Sequence, residues 1–300
     1  MAVATQESVS PRRWWLLAAL LAGNIALALG PWSVRLADSG PVSAAFWRLT
    51  LALPFLALIA RGTGQKLRGM PRRAMVLVAL GSVAFAFDLG SWHIGIERTR
   101  LGNATLFGNA GSIILLFWGF IVGRMLPRGL DWAAIGLALG GAAILMGRSF
   151  EISLGTLIGD LFCLAAGLAY AVYLLTLQDV RGQFGAWALL TWVALIAAPV
   201  LLAMAVVLGE PIWPTDWTPL IVLSLLSQLV GQGLLVFSLR HFPPLVIGLA
   251  LLTQPAVAAI YGAAVFGEVL GAWDIAGMIM LGSALVFARK SQDTPAPPPR

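Results

Sequence analysis

Long runs of apolar residues, cut by short polar gaps, fill this chain almost from end to end. A helix that crosses a bilayer needs about 20 mainly apolar residues. By that measure the pattern predicts ten crossings, at 14–31, 41–60, 74–96, 101–122, 131–147, 154–177, 186–208, 217–239, 244–266 and 272–288. The second five runs echo the first five. Gly123-Arg124-Met125-Leu126 aligns with Gly267-Glu268-Val269-Leu270 at an offset of 144 residues, and the stretch from Trp47 to Pro54 falls on Trp192 to Pro199 at 145. Gly136 and Gly141 meet Gly277 and Gly282 at 141. An odd number of crossings per repeat turns the second repeat over relative to the first. Inverted repeats of this kind build carriers whose midplane site opens to each side in turn.

The predicted fold class is therefore an all-α membrane protein, with ten transmembrane helices arranged as two inverted five-helix repeats. The first repeat is expected over 1–148, with a tail at 1–12, and the second over 149–290. The Pro-rich stretch from Thr294 to Arg300 cannot form helix, and a disordered tail is expected over 291–300. Basic residues set the orientation. With the N-terminus in the cytoplasm, fourteen Lys and Arg fall on the inner side, four on the outer (Arg35, Arg98, Arg100, Arg148), and Arg48 within a crossing. Both termini are thus predicted to be cytoplasmic, in a multi-pass protein of the cell inner membrane.

Composition excludes a water-soluble fold. The chain is 59% hydrophobic and 11% charged, with a mean hydropathy of +0.89, against about 25% charged residues in soluble domains. The net charge of +6 sits in the gaps between apolar runs, where it orients the chain rather than forming a nucleic-acid stripe. Arg12-Arg13 followed by an apolar run, with Ala26-Leu27-Ala28, has the look of a cleavable signal. The second half matches that crossing with one of its own, so a signal-anchor is the expected reading. Cys163 alone excludes an intramolecular disulfide and a cysteine metal cluster. Pro54 and Pro199 occupy matching places in the second and seventh crossings, and Pro255 is expected to kink the ninth. Gly136, Gly140 and Gly141 suit a close helix approach.

A charge at the centre of a crossing costs about 2.5–3.5 kcal/mol on insertion scales, so each calls for an explanation. Arg48 and Asp88 are the clear cases, with Asp160 nearer a helix end. Arg48 and Asp88 either neutralise each other as a packing salt bridge or touch substrate, with Asp88 also a candidate proton carrier. Trp92 is the i+4 neighbour of Asp88, and His93 follows it by five residues. His93 is either a hydrogen-bonded interfacial residue or a proton carrier. Ser224, Gln228 and Gln232 share one helical face. Asn109 and Gln254 fall one residue apart at the repeat offset of 144. Such amides either bond helix to helix or line a pocket near the pseudo-symmetry axis. Tyr170 and Tyr173, one turn apart, are candidate pocket walls.

Several stretches resemble the EamA branch of the drug/metabolite transporter superfamily. They are Ala86-Phe87-Asp88-Leu89-Gly90-Ser91-Trp92-His93, Asn103 to Asn109, Leu239-Arg240-His241-Phe242-Pro243-Pro244, Gln254-Pro255 and Phe266-Gly267-Glu268. Arg124 stands where that family commonly has Glu. In length and helix plan the chain is similar to the YddG-type amino-acid exporters of the superfamily. The resemblance implies a central cavity lined by the first four helices of each half, with the fifth and tenth packed outside. It also implies substrates among amino acids, other small metabolites and amphipathic drugs.

The function expected is secondary transport: export of small metabolites, amino acids or amphipathic compounds first, by alternating access. Asn109, Gln232, Gln254, Tyr170, Tyr173, Trp92 and His93 are the candidate substrate-binding residues, and Arg48 and Asp88 the candidates for charge balance or proton coupling. Two histidines are too few for a histidine-rich metal site, and no GxxxxGK[ST] phosphate loop is present. Neither cofactor nor metal is expected. The expected partners are a small-molecule substrate and membrane lipids, with the chain a monomer or homodimer. The rival class, a polytopic enzyme acting on lipid-linked substrates, would need clustered acid/base or metal-ligating residues at a membrane face.

Overall fold

Hydrocarbon offers the backbone no water, so each apolar run meets its own N–H and C=O needs as helix. The computed structural model describes residues 12–99, 101–123, 128–147, 153, 155–266 and 269–293, and every element among them is helical. The first half holds α1 (Arg12–Ala28), α2 (Gly30–Leu36), α3 (Pro41–Gly62), α4 (Arg72–Arg98), α5 (Leu101–Gly108), α6 (Ala110–Gly123) and α7 (Gly129–Gly147). The second holds α8 (Leu157–Arg181), α9 (Ala186–Val207), α10 (Thr218–Val222), a π-helical stretch (Leu223–Gln232), α11 (Gly233–Ser238), α12 (Pro244–Leu251), α13 (Gln254–Phe266) and α14 (Ala272–Asp293).

Seven spans are long and apolar enough to cross a membrane: Trp14–Leu36, Pro41–Gly62, Arg72–Arg98, Leu157–Arg181, Ala186–Val207, Thr218–Ser238 and Pro244–Tyr261. Asn103–Trp118, Gly129–Leu145 and Ala272–Ala288 are apolar but shorter. The ten expected crossings thus stand as seven full-length spans and three shorter apolar helices among the described residues. Most of the N-terminal tail, the expected repeat boundary near Arg148 to Glu151, Arg124, Glu268 and the tail beyond Asp293 lie outside the described residues.

The two halves meet head to tail through α3 and α9. Helix N-termini leave backbone N–H groups unbonded, and here each helix receives its cap from the far end of the other. Glu210, just past α9, accepts from the N–H groups of Val42 (3.3 Å) and Ser43 (2.9 Å) at the start of α3. Gln65, just past α3, accepts from the N–H of Ala188 (3.0 Å) at the start of α9. Trp47 Nε1 donates to the Ile212 carbonyl at 2.7 Å, and Trp192 Nε1 to the Leu67 carbonyl at 3.0 Å. Gln65 and Glu210, Trp47 and Trp192, and Leu67 and Ile212 are each 145 residues apart. The same contacts made twice, at opposite ends of an antiparallel pair, are the mark of an inverted two-fold arrangement.

The other pairings follow that symmetry. α4 packs on α8 and α1 on the π-helical stretch, while α6 meets α12. α7 and α14 pack chiefly against each other, and each begins under an aspartate cap: Asp131 accepts from the Arg128 N–H and Asp274 from the Gly271 N–H. They approach closely because Gly141 and Gly277 face each other; a Cβ on Gly141 would lie 2.7 Å from the Gly277 carbonyl oxygen. Gly136, expected in the same role, has open space beside it.

Two helices are interrupted at matching depths. α5 and α6 are parted at Asn109, and α12 and α13 at Leu252 and Thr253, 144 residues after Asn109 at Thr253. Pro255, expected to kink a continuous helix, is instead the second residue of α13, where its missing N–H leaves no bond unmade. Pro54 and Pro199 do lie inside α3 and α9.

Candidate functional site

The interrupted helices border a cavity of about 740 Å³, its open space included, between the two halves. Leu27, Ala28 and Pro31 form one wall, Leu89 and Trp92 a second, and Ala104, Thr105, Gly108, Asn109 and Ser112 a third. The second half contributes Tyr170, Ser227, Gln232, Leu251 and Gln254. Apolar carbon and polar groups are interspersed around the walls.

Arg48 and Asp88 both line the cavity, and each is largely buried. They lie near enough for their charges to interact but make no contact ion pair. Arg48 Nε instead donates to Gln228 Oε1 at 3.1 Å, which fixes the guanidinium plane from the π-helical stretch. Among the described residues neither Arg48 Nη group nor the Asp88 carboxylate has a hydrogen-bond partner, and none of these atoms is sealed from the cavity. Of the two readings left open by the sequence, a packing salt bridge is not what the geometry presents.

The amides divide into distinct roles. Gln232 Nε2 donates to the Tyr170 hydroxyl at 3.1 Å, and its Oε1 is buried with no partner among the described residues. Asn109 donates back to the Thr105 carbonyl of its own helix at 2.8 Å, beside the gap between α5 and α6. Gln254 donates to Asn24 Oδ1 at 3.1 Å, and Asn24 Nδ2 donates to Thr253 Oγ1 at 2.7 Å. Asn24 therefore stitches α1 to the gap between α12 and α13. At the matching gap in the first half, α8 comes close through Gly167, whose Cβ would meet the Gly108 carbonyl at 2.6 Å.

The structure brings seven of the nine sequence candidates to the cavity: Arg48, Asp88, Trp92, Asn109, Tyr170, Gln232 and Gln254. Tyr173 and His93 stand one layer behind it. Tyr173 is fully buried, stacked on Phe85 with ring centroids 4.3 Å apart, and its hydroxyl meets no partner among the described residues. His93 is fully buried too, and its Nδ1 donates to the Pro41 carbonyl at 2.9 Å, tying the end of α4 to the start of α3. Asp160 lies outside the lining and accepts from the Thr99 hydroxyl and, at 3.0 Å, from Asn103 Nδ2. Among the described residues no three His, Cys, Asp or Glu side chains gather as metal ligands would.

Some polar groups in or beside the site escaped the sequence reading. Asn24 carried a signal, an amide inside the first apolar run. Ser227 did not. Five residues before Gln232, it would sit about 140° away on an α-helix, but π winding bonds i to i+5 and brings the two toward one face.

The cavity lies toward the end of the bundle where α2 meets α3 and α4 meets α5. The opposite end is packed shut by the Phe85–Tyr173 stack, Val78, Leu177 and Leu235, all fully buried. Arg181 at the end of α8 holds that closure, with Nε on the Val236 carbonyl at 2.9 Å and Nη1 on the Phe184 carbonyl at 2.7 Å.

Residues 13–147 and again 157–289 match the model of the EamA-like transporter family. The threonine/homoserine exporter RhtA of Salmonella typhimurium is 27% identical over 255 residues, which cover 81% of this chain and 82% of that one. The Escherichia coli K12 protein of the same name is 26% identical over the same extent. An uncharacterized transporter of Archaeoglobus fulgidus is 27% identical over 147 residues, 47% of this chain and 48% of its own. A solved crystal structure superposes with a TM-score of 0.74 over 92% of this chain and 96% of its own, at 14% identity, a likeness of fold alone.

Proposed function

This chain belongs to the EamA-like transporter family, and we propose that it is an inner-membrane secondary carrier that exports small amino acids by alternating access. Ten crossings, five in each inverted repeat, would place both termini in the cytoplasm and the cavity toward the outside. The relatives named as threonine/homoserine exporters make neutral hydroxylated amino acids the first substrates to try.

One observation carries the reading: residues related by the repeat converge on a single cavity. Asp88 and Gln232 are 144 residues apart, and Asn109 and Gln254 145 apart, yet all four line the same space. Two side chains related by an inversion axis can share one cavity only close to that axis. A site on the axis stays in place while the halves rock about it, and so can face either side in turn. The closed end, sealed by Tyr173 and Arg181, is then the path that opens in the other state.

The test is a panel of labelled amino acids and other small metabolites offered to the purified protein in liposomes. Saturable uptake of neutral amino acids is expected, with weaker discrimination among side chains than a fully polar site would give. If no compound in the panel moves, the carrier reading falls.

A further inference from the structure

Resting on the exporter reading, the geometry points to a site for dipolar ions: Arg48 takes the α-carboxylate of a zwitterionic amino acid and Asp88 takes its α-ammonium.

Opposite charges inside a membrane bundle gain most by touching, since each ion is costly to keep there alone. Arg48 and Asp88 line one cavity and do not touch. Gln228 holds the guanidinium through Nε, so the Nη fork is left for another acceptor, and a planar fork suits a carboxylate. The Asp88 carboxylate meets no donor among the described residues and is an acceptor-only group for a cation. Water alone would leave a separated pair poorly compensated. An α-amino acid carries both missing partners on one carbon and, as a net-neutral ion, leaves the charge of the cavity unchanged.

Leu27, Leu89, Trp92 and Leu251 cover the rest of the substrate with apolar carbon. The site should therefore reject a molecule that lacks either charge more strongly than one that differs in side-chain size, because losing a partner strands a buried ion.

Binding to the purified detergent-solubilised protein is to be measured by calorimetry with L-threonine, its methyl ester, its N-acetyl derivative and the corresponding amino alcohol. Threonine should bind about tenfold or more tightly than any of the three. Arg48→Gln should weaken threonine by about tenfold while changing the methyl ester by less than about threefold, and Asp88→Asn should show the same contrast between threonine and the N-acetyl derivative. Melting temperatures without ligand identify a variant that fails to fold, and the analogue series on the unaltered protein then decides alone. Equal affinity for all four ligands, or equal losses for all four on either substitution, would overturn the assignment. Transport of some other metabolite with no binding of threonine would end the dipolar-ion site and leave the carrier standing; no transport of anything would end both.

Discussion

Buried amides in a membrane protein are distinguished by the helix their bonds reach. Asn24 of α1 bonds Thr253 and Gln254 across the gap between α12 and α13, whereas Asn109 bonds only the Thr105 carbonyl of its own helix. Asn24→Leu should therefore lower stability by about 1–3 kcal/mol, read as a drop in the melting temperature of the purified protein. Asn109→Leu should stay within about 1 kcal/mol and instead weaken substrate several-fold. The reverse ranking would exchange their roles. Arg48 and Asp88 were legible in the sequence because an intramembrane charge must be put to use. Their separation was not, because it depends on Gln228 reaching Arg48 from another helix. His93 and Tyr173 could not be sorted by pattern at all. Each is one turn or less from a lining residue, Trp92 and Tyr170, and only packing shows which of two amphipathic neighbours faces the space.

Elements were easier to read than their interruptions. Hydrophobic length located the helices within a few residues, since lipid leaves the backbone no alternative. The gap at Asn109, the gap before Gln254 and the π winding of Leu223–Gln232 depend instead on what approaches them: Gly167 on one gap, Asn24 on the other. At this scale Arg35 and Arg181, 146 residues apart, form a matched pair. Arg35 at the end of α2 donates to the Ile96 and Thr99 carbonyls, and Arg181 at the end of α8 to Val236 and Phe184. Arg181 is buried at the closed end, and Arg35 is exposed at the cavity end. Arg181→Gln should therefore loosen the closed end. With Cys163→Ala as background, alkylation of a cysteine introduced by Leu177→Cys should quicken by about tenfold, the loss of roughly one charge-assisted bond. Arg35→Gln should not quicken it. Unchanged labelling in the Arg181 variant would mean that this arginine does not hold the closure.

At the scale of the whole molecule, the repeat seen as an echo of Trp47 to Pro54 in Trp192 to Pro199 has a physical cause. The matched tryptophans bond the matched carbonyls of Ile212 and Leu67 at opposite ends of the α3–α9 pair, so the echo records one interface built twice, once in each direction. The inversion also bears on topology. Reporter fusions should place both termini and the segment from Arg61 to Arg73 in the cytoplasm; an external Arg61–Arg73 segment would reverse the orientation of the cavity. The central claim, that one cavity on the inversion axis serves both sides of the membrane, is tested most directly by counterflow. Liposomes holding the purified protein are preloaded with unlabelled L-threonine and diluted into a trace of labelled threonine. A carrier should draw label inward to a transient peak above equilibrium, and Arg48→Gln should abolish that peak. Label that only equilibrates, at a rate indifferent to the preload, would contradict a site that alternates.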